Sequence, residues 1–436
     1  MSKVGKISGF PEWLPEQKIA EDKIIARIRA IFESYGFAPI ETPAVELLTT
    51  LGSKGIIDKE IFTVRRLKAE EGQESELGLH FDLTVPLARY VAQHQAALSF
   101  PFKRHQCQKV WRGERPQRGR FREFYQFDID IIGRDELPLS CDAEVVSVIG
   151  IVMKALDFGP FEVRINSRKL LSGLFAELGL DEAARKAAII AVDKLLKIGT
   201  DGVRSELEKI AGATPKVIEV ILKSTEIRCT ADELGARIAA LGISSPLIVE
   251  GVRELCEIYA LIPEAVREDV SIDVSLARGL DYYTGLIAET GLTQYPEFGS
   301  VFSGGRYDDL ASEFTTQKLP GVGVSLGLSR LMDLAFSEGL LPTPRKSPTE
   351  AVVTVYAEKD RAVCNEVAHE LRLAGLPTEV FYKSPKLGKQ IEYAEAKGAR
   401  YVLFVNADTR AVEVKDLQTK EQKQISDLRS WANSVK

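Results

Sequence analysis

The sequence predicts a β-rich domain interrupted by a helical insertion, followed by a smaller α/β domain. Three observations carry this. Residues 168–258 are rich in Leu, Ala, Ile, Lys and Glu, and helical spacing dominates there, while strand-like runs lie on both sides. Residues 338–350, EGLLPTPRKSPTE, hold three prolines and no period, as a linker does. Beyond them, short apolar runs alternate with helical ones, the pattern of an α/β sheet. The chain has 436 residues, 45% apolar and 28% charged. It is long enough for two to four domains and too apolar to be disordered.

Taken in order, residues 17–36 read as an amphipathic helix, with Ile19, Ile24, Ile25, Ile28, Ile31 and Phe32 near the helical period and Gly36 at its end. An extended stretch follows. Pro43 lacks a ladder donor, so it belongs at a strand edge, bend or exposed boundary. Strands are predicted near 105–112 and 121–132, joined by a polar, arginine-rich loop, and a helix from Glu144 to Leu156. After the insertion, strands return near 271–276 and 283–290. Residues 299–336 then read as strand, turn, strand and a helix beginning near Leu328. In the tail, AVVTVYA (351–357), TEVFY (378–382) and YVLFV (401–405) are strand-like. Helical stretches at 360–374 and 387–397 separate them, closed by Gly375 and Gly398, which predicts a mostly parallel sheet.

Composition excludes several classes. The five cysteines are scattered, odd in number and never in a CxxC spacing, and the four histidines show no HxH or HxxxH pairing. A disulfide framework and a structural metal site are both disfavoured. No apolar run approaches the ~20 residues of a membrane span. The N-terminal segment has no apolar core of the secretory kind, so a cytoplasmic location is expected. The net charge is −6, yet residues 101–122 hold eight Lys/Arg against one Glu. An acidic body with one concentrated basic segment suits a polyanion site better than nonspecific nucleic-acid binding.

Five segments can carry chemistry. Between Arg112 and Arg122, five arginines fall within eleven residues. A hairpin would place Arg112 and Arg120 at the two ends of its loop, facing a triphosphate; a solvated basic hairpin fits equally. Arg278-Gly-Leu-Asp-Tyr282-Tyr283-Thr-Gly packs a cation, a carboxylate and two phenols between glycines, or forms a turn with an ion pair. Adjacent tyrosines on a strand point to opposite faces, so one of them faces a pocket squarely. Ser303-Gly-Gly-Arg306-Tyr307 allows close backbone approach to a ligand, although a plain hairpin turn is the commoner use. Gly321-Val-Gly323-Val-Ser325-Leu-Gly327 is spaced GxGxxxG, not as a dinucleotide loop, and reads as a strand feeding a helix whose first turn holds Arg330. Asp82 and Thr84 lie two apart, where they can accept from an ammonium group or cap the helix that follows.

Together and in this order, these segments resemble the class II aminoacyl-tRNA synthetases, and the histidyl-tRNA synthetase family among them. FESYGFAPIETPAVE, with Pro43, is similar to motif 1. VWRGERPQRGRFREFYQFDID is similar to motif 2, and GVGVSLGLSRL to motif 3. RGLDYYTG and SGGRYDDL resemble the histidine-specific signatures, and SPKLGKQIEYAEAKGARYVLFV the anticodon-binding domain of the group. The resemblance implies an α+β catalytic core with an antiparallel sheet flanked by helices, a helical insertion and a C-terminal α/β anticodon-binding domain. The corresponding boundaries are 1–167 and 259–337 for the core, 168–258 for the insertion, 338–350 for the linker and 351–436 for the tail. It also implies a homodimer through motif 1.

The implied reaction is activation of histidine by ATP, with Mg²⁺ on the phosphates, and transfer to the 3′ end of tRNA(His). On the matching positions, Arg112 meets the α-phosphate and Arg330 the γ-phosphate. Arg278 lies by the histidine carboxylate, so Arg112 and Arg278 are the expected catalytic pair. Glu114 and Arg120 complete the ATP site. Asp82, Thr84 and Gln126 match positions that hold the amino group. Asp130 and Tyr283 match those that read the ring, with Tyr282 and Tyr307 nearby. Arg115 and Gln117 resemble residues that meet the acceptor end of the tRNA. No metal ligands are assigned. Lys383, Lys386 and Lys389 face the anticodon stem or are simply solvated. The sequence departs from the family at His80, often arginine, and at Asp82 and Asp130, where some members carry Glu. A non-catalytic regulatory subunit of ATP phosphoribosyltransferase is the alternative. Such relatives usually lack the tail and the arginine at position 278, both present here.

Overall fold

The computed structural model describes residues 5–52, 60–68, 75–277, 283–343, 345–383 and 386–435. They divide into two compact units: residues 26–340 with the N-terminal arm to Pro11, and residues 341–436 with Glu12–Ile25. Helix α1 (Pro15–Ser34) thus contributes to both. Its buried residues Ala20, Ile24, Ile28 and Phe32 recur every four positions, the stripe anticipated for 17–36. Gly36 adopts φ +81°, and the amides of Gly36 and Phe37 donate to the carbonyls of Glu33 and Phe32, which ends the helix.

The larger unit is built on a sheet of nine strands among the described residues. These are β1 (Ala38–Pro39), β2 (Phe102–Trp111), β3 (Glu123–Ile132), β4 (Phe161–Ser167), β5 (Arg228–Cys229), β6 (Val270–Asp273), β7 (Leu286–Leu292), β8 (Phe302–Tyr307) and β9 (Gly321–Gly327). Their order is β1-β2-β3-β9-β8-β7-β4-β6-β5. From β2 to β4 every pairing is antiparallel, while β1 and β6 join in parallel. The two faces differ in chemistry because alternate residues point to opposite sides. On one face Phe127, Ile129 and Ile131 of β3 and Val322 and Val324 of β9 are buried. Helix α3 (Leu139–Leu156) crosses this sheet, and Phe32 of α1 meets Phe127 edge to face at 4.9 Å. On the other face, Arg104, Gln106 and Gln108 of β2 lie in register with Asp130, Asp128 and Gln126 of β3. Next to those stand Gly323, Ser325 and Gly327 of β9. Two shorter helices, α2 (Thr84–His94) and α4 (Leu328–Ser337), begin beside this polar face.

Helices from Arg168–Glu177 to Pro246–Leu261 join β4 to β6. Their starts are written locally: Ser167, Asp181, Thr214 and Ser245 each accept a backbone N–H with the side chain. A Cβ on Gly251 would lie 2.7 Å from the Leu170 nitrogen, so glycine lets the first and last helices approach closely. A three-stranded sheet not foreseen from the sequence forms from Val45–Leu47, Leu77–Leu79 and Thr63–Val64, with Leu77–Leu79 central. Pro43 is exposed just ahead of it.

The smaller unit holds β10 (Ala351–Val353), β11 (Thr378–Val380), β12 (Tyr401–Val405), β13 (Val412–Asp416) and β14 (Gln422–Ile425), ordered β11-β10-β12-β13-β14. The sheet is mixed rather than mostly parallel. β10 pairs in parallel with β11 and β12, while β13 and β14 add antiparallel. The hairpin was hidden because VEVKD and QKQI are polar at the exposed edge. Helices α5 (Arg361–Leu373), α6 (Leu387–Lys397) and α7 (Leu428–Ser434) complete the unit. Residues Ser347 and Thr349 are buried and bond to Glu379, so the last part of the proline-rich stretch is packed within this unit. No described helix is long and apolar enough to cross a membrane.

Candidate active site

A cavity of about 260 Å³ opens on the polar face of the larger sheet. Asp82, Thr84, Arg112, Glu114, Arg120, Gln126, Tyr283 and Arg330 all line it, although they come from six separate stretches of chain. β2 and β3 bring the two ends of the arginine-rich loop to one wall. β9 and α4 bring Arg330 to another.

The cationic side is held open by backbone carbonyls. Arg112 Nε donates to the Phe81 carbonyl at 2.9 Å, and its guanidinium lies 5.2 Å from the centre of the Phe124 ring. Arg330 donates from Nε to the Gly119 carbonyl at 2.8 Å and from Nη1 to the Ser300 carbonyl at 2.6 Å. Glu114 lies 3.5 Å from Arg120 and 4.0 Å from Arg112. Glu114 and Glu289 are the two glutamates in the lining, against three guanidiniums, so positive charge remains, as an anion site requires. Of the five loop arginines, Arg118 and Arg122 have structural partners instead. Arg118 stacks on Phe298 and meets Glu338; Arg122 donates to the Glu114 carbonyl.

The lining also carries acceptors. Asp82 is 3% exposed; its Oδ1 accepts the Val85 amide at 3.1 Å, and its Oδ2 has no partner among the described residues. Asp82 thus holds the start of α2 with one oxygen and leaves the other without a partner among the described residues. Gln126 gives its amide N–H to Ser325 Oγ, leaving Oε1 buried and without a partner among the described residues. Burial pushes the Asp82 carboxyl up to about 6, against the pull of the Val85 amide and of Arg112 and Arg104.

Asp130 and Tyr307 do not line the cavity; they stand behind its wall. Tyr307 donates its hydroxyl to Asp130 Oδ1 at 2.7 Å, and Arg104 Nη2 lies 2.7 Å from Asp130 Oδ2. Burial raises the Asp130 carboxyl, and raises the Tyr307 phenol well above its ordinary value. Sequence reasoning missed Arg104 and Asp128. Asp128 is 2% exposed and is pushed up to about 7 by burial, Arg104 opposing and Asp130 adding to the shift. The signal was available in the alternation of polar residues along β2 and β3.

The glycine motifs prove to be strand positions that make room for these side chains. A Cβ at Gly323 would lie 2.0 Å from Asp130 Oδ1, and one at Gly321 would lie 2.3 Å from the Tyr307 ring. The glycines of Ser303-Gly-Gly-Arg306 sit inside β8, not in the hairpin turn that their pairing suggested. A Cβ at Gly305 would meet the Tyr283 ring at 3.1 Å. Arg278 and Tyr282 lie outside the described residues. Arg115 and Gln117 are exposed on the loop between β2 and β3. His80 is buried away from the cavity lining, with Nε2 2.7 Å from the Lys109 carbonyl oxygen. Lys383, Lys386 and Lys389 are all exposed in the smaller unit.

No cluster of three metal-ligating side chains occurs among the described residues. A Mg²⁺ carried on phosphates needs only one or two carboxylates. Glu114 and Glu289 both line the cavity and fit that requirement.

An antiparallel sheet with helices on one face, a ligand cavity on the other and a separate α/β unit defines a class II aminoacyl-tRNA synthetase. The family model described as Histidyl-tRNA synthetase matches residues 9–331, and the anticodon binding domain model matches 350–430. The histidine–tRNA ligase of Thermobifida fusca is 45% identical over 428 residues, covering 98% of this chain and 97% of the relative. That of Stenotrophomonas maltophilia is 43% identical, covering 96% and 94%. The crystal structure of histidyl-tRNA synthetase from Nostoc sp. PCC 7120 superposes with a TM-score of 0.89 at 36% identity over the whole of both chains. The chain belongs to the histidyl-tRNA synthetase family.

Proposed function

We propose that this chain activates histidine with ATP to histidyl-adenylate and transfers the histidyl group to the 3′ end of tRNA(His). The observation that carries the reading is one cavity lined both by three arginines and by two residues, Asp82 and Gln126, whose acceptor oxygens have no partner among the described residues. An amino acid's ammonium has three donors and no acceptor, which suits Asp82 Oδ2 and Gln126 Oε1. Thr84, beside them, adds a hydroxyl.

In the first step a carboxylate oxygen of histidine bonds to the α-phosphorus of ATP, and the bond from that phosphorus to the bridging oxygen breaks to release pyrophosphate. Two anions must meet, so the chain's task is charge compensation and alignment. Arg112 takes the α-phosphate, and Arg330 the γ-phosphate. Arg120 and Glu114 hold the rest of the nucleotide, and Arg278 takes the histidine carboxylate. None of the arginines acts as a base, because each stays protonated. Mg²⁺, held by Glu114 and Glu289, would neutralise phosphate charge. Tyr283 at the wall and Tyr282, next to it in sequence, read the imidazole ring, and the Asp130–Tyr307 pair behind the wall supports it. A site built on such partners can reject analogues that lack them by ~10⁴–10⁵. Arg115 and Gln117 meet the acceptor end of the tRNA.

The assembly we propose is a homodimer. Val45–Leu47 is an edge strand of the small sheet among the described residues and exposes Val45 and Leu47, an apolar edge that a second copy would cover. A cytoplasmic setting agrees with the odd number and scatter of the cysteines. ATP–pyrophosphate exchange without tRNA tests the activation step. Exchange is expected with histidine alone among the amino acids, and its absence from folded protein would sink the reading.

A further inference from the structure

Strand β2 places Arg104 behind the cavity, with its side chain at 0% exposure. Its guanidinium reaches three elements. Nη2 lies 2.7 Å from Asp130 Oδ2 and 3.8 Å from Asp128 Oδ2 on β3. The same nitrogen donates to the Leu83 carbonyl at 3.5 Å, in the segment that leads into α2. Nη1 donates to Gln106 Oε1 at 3.2 Å. Gln106 cannot reverse its amide without loss, because its Nε2 donates to Thr42 Oγ1 at 3.0 Å and to Gln108 Oε1 at 2.7 Å.

These contacts back both walls of the acceptor side. Leu83 separates Asp82 from Thr84. Asp128 is the register partner of Ser325, whose hydroxyl receives the Gln126 amide. Asp82, Thr84, Gln126 and Ser325 all line the cavity, and Arg104 does not. Three carboxyls, Asp82, Asp128 and Asp130, are each no more than 3% exposed, and Arg104 is the fully buried cation set among them. In so dry a place the attraction is poorly screened, and removing the cation leaves uncompensated charge. The hydrogen bonds and ion pairs of Arg104 go to Gln106, Leu83, Asp128 and Asp130.

We propose that Arg104 is a positioning residue for histidine recognition, fixing the distance between the Asp82–Thr84 wall and the Gln126–Ser325 wall without touching the substrate. The inference rests on reading this cavity as the histidine site. It predicts an effect confined to one substrate. A purely structural arginine would change the folded fraction, which lowers the apparent kcat and leaves both KM values alone.

The test is ATP–pyrophosphate exchange on the full chain, with histidine and ATP varied separately, for wild type, Arg104→Lys, Arg104→Met and Arg104→Met/Asp128→Asn. The Met variant is expected to raise the KM for histidine about 10- to 100-fold, the scale of a lost hydrogen bond to a charged group. The KM for ATP stays within about twofold, because the phosphate arginines are untouched. Lys keeps the charge but not the fork, so it gives an intermediate rise. The double variant recovers part of the loss by removing one uncompensated carboxylate. A wild-type KM for histidine in folded Arg104→Lys, or a parallel rise for ATP, would overturn the proposal. If Arg104→Met does not fold, the Lys variant decides on the same criterion. Absence of histidine-dependent exchange in wild type would overturn the functional reading itself, and this inference with it.

Discussion

On the proposed reading, Asp82 divides its two carboxylate oxygens between the fold and the ligand. Oδ1 holds the Val85 amide at the start of α2, and Oδ2, on a residue that lines the cavity, is buried with no partner among the described residues. The two duties can be separated. Asn keeps the shape and the cap but not the charge, so Asp82→Asn should leave the melting temperature nearly unchanged. It should raise the KM for histidine about 10- to 100-fold, the value of a charge-assisted bond. Asp82→Ala also loses the cap and should cost about 1 kcal/mol of stability in addition. The pH dependence has a definite sign. Burial raises this carboxyl to about 6, and only its charged form attracts an ammonium. The kcat/KM for histidine should therefore fall as pH drops through 6, and be insensitive to this group above 7. The Asn variant should retain only the substrate's own titration; an identical acid limb in both proteins would assign the titration to another group.

Strand β9 shows how an element can serve the site through what it leaves out. Gly321 and Gly323 yield their volume to Tyr307 and Asp130, and Ser325, two positions on, fixes Gln126. None of these strand glycines needs a positive φ, so the requirement is for space alone. Gly323→Ala should push on a carboxylate already clamped by Tyr307 and Arg104. Overpacking of that kind costs about 1–3 kcal/mol. A lowered melting temperature with a raised KM for histidine is expected, and Gly388→Ala, with nothing within 4 Å of its new methyl, is the control. This strand also shows what was legible in the sequence. The spacing of GVGVSLG was enough to discard a dinucleotide loop, and the helix at Leu328 was anticipated at its first residue. The purpose of the glycines was not legible, because it lies on neighbouring strands. Arg104 was hidden differently. It was counted with the basic run 101–122, yet a strand sends Arg104 and Lys103 to opposite faces, so proximity in sequence gave the wrong company.

At the scale of the molecule, an acidic protein must bind a polyanion. The net charge of −6 works against tRNA at long range, so binding has to rest on local patches. One candidate patch is the loop that exposes Arg115 and Gln117. Another is the surface of the smaller unit, where Lys383, Lys386 and Lys389 are exposed and Lys383 Nζ lies 5.5 Å from the centre of the Tyr382 ring. Tyr382 is itself 66% exposed, and an open aromatic face beside cations suits an unpaired base. Activation proceeds without tRNA, so the two steps separate a tRNA patch from the activation site. Combined Lys383→Ala, Lys386→Ala and Lys389→Ala should leave ATP–pyrophosphate exchange at the wild-type rate and raise the KM for tRNA in aminoacylation. The salt dependence of that KM decides whether the lysines touch phosphate. Each lost phosphate contact removes about 0.7–0.9 from the slope of log affinity against log salt, so a shallower slope is expected. A slope equal to wild type would make these lysines a solvated face and move the tRNA contact elsewhere on the unit.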